Sequence, residues 1–239
     1  MYNSNKYHLP DNVLIIIPAR SGSKGIPNKN IYSINGFPLI KYTIDFAKAI
    51  TMADNILVST DSLLISSIAK DLGASCPFLR PEYLSGDRIS DMEVLSHALT
   101  HYEKYLEKKF DIVIMLQPTS PVRSAAQLIE GLNKLQLMNY ESLISVSPVP
   151  IKFHGLKQFE VANDKLLPLS RRSFSIIARQ QLSKSYIRNG VFYIFKSKFI
   201  KNSRYVFSKN TGYVITEETS FNIDTLNDIV EFKNYLDNL

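Results

Sequence analysis

VLIIIPARSGSKGIPNKN, residues 13–30, decides how the rest of the chain is read. An apolar run from Val13 to Ile17 passes through Pro18 into a segment that holds Arg20, Lys24 and Lys29, glycines at 22 and 25, Pro27 and no acid. A short continuous apolar run bounded by turn residues predicts a fully buried strand, the kind found in parallel sheets covered on both faces. In open α/β sheets ligands sit beyond the carboxyl ends of the strands, so uncompensated cations at that place predict an anionic ligand. Gly22 and Gly25 let the backbone approach it closely and expose N–H groups, while Arg20, Lys24 and Lys29 supply charge. The loop is not a Walker A loop, because Pro27 stands where the second glycine belongs, and it lacks the G-x-G-x-x-G of a dinucleotide fold.

Outward from this strand the chain alternates. PLIKYTIDFAKAI (38–50) has helical spacing at Leu39, Ile40, Ile44, Phe46 and Ala47, and NILVST (55–60) reads as a second strand. A helix follows from Asp61 or Ser62 to Leu72, stopped by Gly73. Residues 90–108 form another, with Met92, Leu95, Leu99, Tyr102 and Leu106 on one face. DIVIML (111–116), a helix over 124–138 with Ser124 as its cap, and SLISVS (142–147) continue the rhythm. This alternation predicts an α/β fold with a mostly parallel sheet. The rhythm breaks over 149–183 and resumes at VFYIF (191–195), with a last helix starting near Thr225. The chain therefore divides into a flexible leader (1–12), an α/β domain (13–148 and 184–239) and an insertion (149–183). The insertion's apolar residues, among them Ile151, Phe153, Phe159, Val161 and Leu166, are too few for a core of their own. They predict packing on a second copy of the chain.

Composition excludes several classes. At 239 residues, with 45% apolar and 21% charged residues, the chain is an ordinary globular sequence with room for a core. No apolar run approaches the roughly 20 residues that span a bilayer, and the first eleven lack a signal peptide's apolar stretch. The single Cys76 excludes internal disulfides and cysteine-based zinc sites and predicts a reducing, cytoplasmic setting. The net charge of +6 is dispersed apart from the opening loop and Arg171-Arg172, with no basic stripe for nucleic acid and no basic amphipathic helix for a membrane. A small anionic ligand fits best.

The opening loop resembles the signature of the cytidylyltransferases that activate sialic-acid-type sugars. VSTDS (58–62), LRPEYLSGD (79–87), LQPTSPVR (116–123), RQQLSKSYIRNGVFYI (179–194) and SFNIDT (220–225) resemble further blocks of that family, in its order and spacing. The resemblance implies a Rossmann-like nucleotide-diphospho-sugar transferase fold with a dimerisation insertion. It implies transfer of CMP from CTP to the anomeric hydroxyl of a nine-carbon keto-acid sugar, with Mg²⁺ (Mn²⁺ as a substitute) and release of pyrophosphate. It assigns Arg20, Gly22, Lys24 and Gly25 to the triphosphate, Lys29 and Asn30 to the α-phosphate and nucleotide, and Arg80 to the nucleotide. Arg20, Lys29 and Asp224 become the catalytic set.

Gln117, Thr119 and Ser120 leave the strand DIVIML at its ligand edge, where an amide and hydroxyls can match cytosine or sugar hydroxyls; Pro118 and Pro121 stiffen the turn. For the sugar, the resemblance brings in Arg179 as the carboxylate's cation, with Gln117, Gln180, Tyr186, Asn189, Phe192 and Tyr193. Phe192 and Tyr193 read equally as alternating strand residues. Two departures fall in this block: Ala178 replaces a usual second arginine, and Ser183 a usual proline. The family's D-x-D is here Asn222-Ile223-Asp224, leaving Asp224 as the metal ligand, with Asp87 as an alternative. Neuraminic, legionaminic and pseudaminic acids remain open as acceptors. An eight-carbon acid and a non-catalytic nucleotide-binding role are the alternative functions.

Overall fold

The computed structural model describes residues 7–23, 25–216 and 221–238. The expected elements form where the apolar pattern puts them. Strands β1 (Val13–Pro18), the short hairpin β2–β3 (Ser33–Ile34 and Phe37–Pro38), helix α1 (Leu39–Lys48), β4 (Ile56–Ser59) and α2 (Leu63–Asp71) open the chain. Then follow α3 (Asp91–Leu106), β5 (Ile112–Met115), α4 (Ala125–Leu137) and β6 (Ser142–Pro148). The insertion folds into short 3₁₀ turns and a hairpin, β7 (Phe159–Ala162) with β8 (Lys165–Pro168). Strand β9 (Tyr186–Lys196), α5 (Ser197–Asn202), β10 (Thr211–Ile215) and α6 (Leu226–Asp237) close it.

One six-stranded sheet runs in the order β10-β6-β9-β5-β1-β4. β4 with β1, β1 with β5, and β10 with β6 pair in parallel, whereas β9 is antiparallel to both β5 and β6. The sheet is thus mostly parallel, as the alternation predicts. The reversal of β9 is invisible in the sequence, and it carries the N-terminal residues of β9 to the edge where β1, β5 and β6 end.

The alternation of β1 builds two cores. Ile15 and Ile17 join Ile56, Val58, Ile114, Leu143, Phe192 and Ile194 under α1, α2 and α4. Leu14 and Ile16 join Leu57, Val113, Met115, Tyr193 and Phe195 under α3 and α5. The face predicted for α3 is the buried one: Met92, Leu95, Leu99 and Tyr102 are each at most 1% exposed. Ser90 accepts from the Glu93 amide while Glu93 accepts from the Ser90 amide, a reciprocal cap that fixes where α3 begins. A third, smaller core joins Ile26 and Ile34 to Phe221, Ile223, Ile229 and Phe232, clamping α6 over the opening loop.

The body of the fold starts before Val13. Leu9 is buried and its amide donates to the Ile50 carbonyl (2.8 Å), so the segment expected to be a flexible leader up to residue 12 is held at Leu9. Among the described residues no helix is long and apolar enough to cross a membrane.

Candidate active site

A cavity of about 420 Å³ opens at the carboxyl end of β1 and β5. Arg20, Gly25, Lys29, Asn30, Arg80, Asp87, Gln117, Thr119 and Asp224 all line it, so segments as far apart in sequence as those of Arg20 and Asp224 meet where the opening loop predicts a ligand.

The loop is held in place by its own polar groups. The Ala19 amide donates to the Ser59 carbonyl on β4 (2.9 Å), and the Ser21 amide and hydroxyl both donate to Asp61 (2.8 and 2.7 Å). Asn30, 6% exposed, folds the loop back by donating to the Arg20 carbonyl (2.9 Å). The Arg20 guanidinium then pairs with Asp87 at 2.8 Å. Gly25 lies so close to the Asp224 carbonyl that an added Cβ would sit 2.5 Å from its oxygen. Ile223, fully buried in the third core, presents its neighbour Asp224 to the loop. Lys29 donates there to the Ile223 carbonyl (2.9 Å) and to one Asp224 oxygen (2.7 Å), and Asn222 donates to the other oxygen (2.6 Å).

The turn after β5 is fixed from beneath by Arg123, only 4% exposed. It donates to the carbonyls of Gln117 and Val191 and to the Thr43 hydroxyl. Thr119 is tied to the segment that carries Asp224 through the Ile223 amide, which donates to the Thr119 carbonyl at 2.8 Å.

Arg80 carries the strongest signal for a ligand. It is 5% exposed, and its Nε and one terminal nitrogen have no hydrogen-bond partner. Burial drives its pKa down; Asp61 partly opposes this and Arg20 adds to it. A buried, unsatisfied guanidinium beside a second arginine is costly, and an anion in the cavity would satisfy it. Asp91, the first residue of α3, also lines the cavity; burial raises its carboxyl above the ordinary value, with Arg188 and Arg80 opposing.

The expected residues divide. Gly22 is exposed, and a Cβ there would meet no protein atom within 4 Å. Lys24 lies outside the described residues. Ser120 is buried and its hydroxyl donates to the Asn189 carbonyl (3.3 Å), which makes it a brace rather than a ligand group. Phe192 is a fully buried core side chain, which decides its strand-residue reading. Asn189 is buried too and spends its amide on Ser145, Ser147 and Thr216, joining β9 to β6. Arg179 and Gln180 stand exposed on a 3₁₀ turn of the insertion, away from the cavity. Tyr186 lines a separate cavity of about 280 Å³. Tyr193, 5% exposed, packs in the core beneath α3, within electrostatic reach of Asp91.

For a divalent cation, Asp224 offers a carboxylate with 59% of its side chain exposed at the cavity edge. One such carboxylate with substrate phosphates and water is a sufficient donor set for Mg²⁺, so Asp224 fits. Asp87 also lines the cavity and, like Asp224 with Lys29, is paired with a cation, Arg20. Among the described residues no group of three or more His, Cys, Asp or Glu side chains stands together.

Sequence reasoning missed Arg123, Asp61 and Asp91. Each lies in or beside one of the motifs, and only the fold shows what it holds.

A family model described as Cytidylyltransferase matches residues 14–236. Post-translational flagellin modification protein B of Campylobacter coli is 35% identical over 92% of this chain and 94% of its own. CMP-N,N'-diacetyllegionaminic acid synthase of Legionella pneumophila is 32% identical over 89% of this chain and 90% of its own. Among solved structures, CMP:2-keto-3-deoxy-manno-octonic acid synthetase complexed with CTP superposes with a TM-score of 0.68. It covers 95% of this chain and 98% of that one at 16% identity.

Proposed function

The chain belongs to the cytidylyltransferase family, and from that membership we propose that it transfers CMP from CTP to the anomeric hydroxyl of a nine-carbon keto-acid sugar of the neuraminic, legionaminic or pseudaminic type. The observation that carries this reading is the cavity itself. Arg20, Lys29 and the unsatisfied Arg80 converge on a space bounded by the polar side chains of Gln117 and Thr119. The full-length relative named for a CMP-legionaminic acid synthase supports the acceptor class.

The sugar hydroxyl attacks the α-phosphorus, the bond from that phosphorus to the β-phosphate oxygen breaks, and the electron pair leaves on pyrophosphate. The hydroxyl proton passes to solvent. Such a reaction asks for positioning and charge neutralisation more than for covalent chemistry. Arg20, steadied by Asp87, and Arg80 hold anionic oxygens. Lys29, delivered by the loop to Asp224, supplies charge where the transferring phosphoryl group lies. Gln117 and Thr119 present hydrogen-bonding groups on a turn that Arg123 keeps rigid. Asp224 would hold Mg²⁺, or Mn²⁺ in its place, with phosphate and water oxygens. When bound, the ion withdraws charge from the phosphates and stabilises the leaving group.

The protein acts as a homodimer through residues 149–183, in the cytoplasm. Exposed apolar side chains of the insertion support the dimer: Ile177 is 94% exposed, Phe174 80% and Val161 75%. The experiment is pyrophosphate release measured across CTP, UTP and GTP with neuraminic, legionaminic, pseudaminic and eight-carbon acids. Release with CTP and a nine-carbon acid is expected. Fastest turnover with the eight-carbon acid, or with another nucleotide, contradicts the reading.

A further inference from the structure

Strand β9 carries more residues than its neighbour where the two approach the ligand edge. Ile144 on β6 stands opposite Tyr193 and Val146 opposite Arg188, with a register shift between them, so two steps along β6 match five along β9. A bulge of this kind leaves backbone groups without ladder partners, and here buried side chains serve them. The Ser145 hydroxyl accepts from the Phe192 amide (3.0 Å) and donates to Asn189 Oδ1 (2.7 Å), which also accepts from the Val191 amide (3.3 Å). The other end of the Asn189 side chain donates to Ser147 (2.9 Å) and to Thr216. Asn189 is 8% exposed and Ser145 fully buried, so the bulge is a fixed feature of the strand and not a frayed end.

The bulge meets the turn after β5 at three points. The Ser120 hydroxyl donates to the Asn189 carbonyl (3.3 Å). Arg123 donates from Nε to the Val191 carbonyl (2.8 Å) and from a terminal nitrogen to the Gln117 carbonyl. Between these ties lies Gly190, at φ +73, where a Cβ would stand 2.7 Å from Gln117 Oε1 and 2.8 Å from Ser120 Oγ. The first two ties fix backbone, and the third limits where the Gln117 amide can lie. Among the described residues Gln117 lines the main cavity, whereas Ser120, Asn189 and Gly190 do not.

We propose that the β9 bulge is a positioning device for the transfer reaction. Gly190 and the Ser120–Asn189 bond hold the Gln117 amide toward the substrate it reads, without touching that substrate themselves. Gln117 Oε1 occupies the space that a side chain at 190 would take. A methyl group there meets the far end of a flexible side chain, so the Gln117 amide is what moves. An amide confined to one orientation loses less entropy on bonding a ligand than one free to rotate. The positive φ at 190 also strains any L residue, but that strain acts on stability whatever residue stands at 117. The two effects of a substitution therefore part in a variant that lacks the amide.

This inference rests on the transfer reading above, and the test separates the two. KM for CTP and for N,N'-diacetyllegionaminic acid, kcat and the melting temperature are measured for the full chain. The same is done for Gln117→Ala, Gly190→Ala, Ser120→Ala, and the last two each combined with Gln117→Ala. Gln117→Ala identifies the substrate whose KM depends on the amide. Gly190→Ala should raise that same KM about threefold to tenfold, the effect of one neutral hydrogen bond, and leave the other within about twofold. In the Gln117→Ala background it should change neither KM by more than about twofold while still lowering the melting temperature. Ser120→Ala adds no strain and should raise the same KM less, again only where Gln117 is present. Additive losses in the double variants overturn the proposal, as do equal losses on both substrates with Gly190→Ala, or no change in either KM with Gln117→Ala. If Gly190→Ala does not fold, Ser120→Ala and its double variant decide by the same rule. If the unsubstituted protein turns over no acid, the transfer reading fails, and calorimetric affinities for CTP and, with CMP present, for the acid decide the positioning role. A loss shared by Gln117→Ala and Gly190→Ala, and not additive, upholds it; any other pattern overturns it.

Discussion

At the scale of single residues the site is a set of charges directed at one cavity. Lys29 has 13% of its side chain exposed and spends its ammonium on Asp224 and the Ile223 carbonyl, while Arg80 has nothing to bond at two nitrogens. These situations predict different behaviour. Arg80→Met removes a buried, unsatisfied cation, so it should raise the melting temperature while weakening CTP binding about tenfold to a hundredfold; scanning calorimetry and titration calorimetry read the two effects. A fall in both would mean that Arg80 is structural. Lys29→Ala should lower kcat about 100- to 1,000-fold and change CTP affinity far less, because its charge acts on the group being transferred. Loss of CTP affinity with kcat unchanged would falsify that role. Asp224→Asn should raise the Mg²⁺ concentration needed for half-maximal turnover, with excess metal or Mn²⁺ restoring part of the rate; an unchanged metal requirement would place the ion elsewhere. The charged residues of the loop were legible in sequence because uncompensated cations at the end of a buried strand call for an anion. The sugar-facing residues were not. Asn189, Phe192 and Tyr193 occupy a strand whose direction and bulge the sequence leaves open, and in the fold all three are buried.

At the scale of elements, the apolar periods placed the other predicted strands and helices to within two residues, since each buried face is written at period 2 or 3.6, but β9 begins at Tyr186, five residues before the apolar run at Val191. Ser62, Ser90, Ser124 and Thr225 cap helices α2, α3, α4 and α6, and each is a residue type whose side chain serves that purpose. What the apolar pattern did not mark was short or reversed: α5 with six residues, β10 at the sheet edge, and the antiparallel sense of β9. One polar group holds several of these pieces together. Glu103 on α3 has a side chain 3% exposed, and it accepts from Lys109, from Lys201 on α5 and from the Phe110 amide. Burial pushes its pKa up, yet the bonds from Lys201, Lys109 and Phe110 outweigh burial and hold it below the ordinary value. A depressed acid stabilises the fold above its unfolded pKa of about 4.3 and loses that contribution as pH falls through the lower folded value. Glu103→Gln should therefore cost about 1–3 kcal/mol in urea unfolding at pH 7, and the difference from the unsubstituted protein should shrink below about pH 4. A difference that is constant with pH would mean that packing, not charge, is what the substitution removes.

At the scale of the whole molecule, the insertion is the part that does not close on itself. Its hairpin exposes Phe159 by 53%, Val161 by 75% and Leu166 by 67%, too much apolar surface for a segment with no core beneath it. Light scattering should give twice the chain mass at micromolar concentration, and Val161→Asp with Leu166→Asp should give a soluble monomer; a monomer without substitution would rule out the dimer. The sequence made this segment legible only as a break in rhythm, because a surface buried by a second chain leaves the same apolar residues as a small core would. Cytidylyl transfer to an acid sugar is the central claim, and product analysis measures it most directly. The protein is incubated with CTP, Mg²⁺ and N,N'-diacetyllegionaminic acid, and the phosphorus species are followed by nuclear magnetic resonance and mass spectrometry. A CMP-sugar phosphodiester and pyrophosphate should appear in equal amounts, with neither formed when UTP replaces CTP. Unchanged CTP with every nine-carbon acid, in protein that still binds the nucleotide, would contradict the claim.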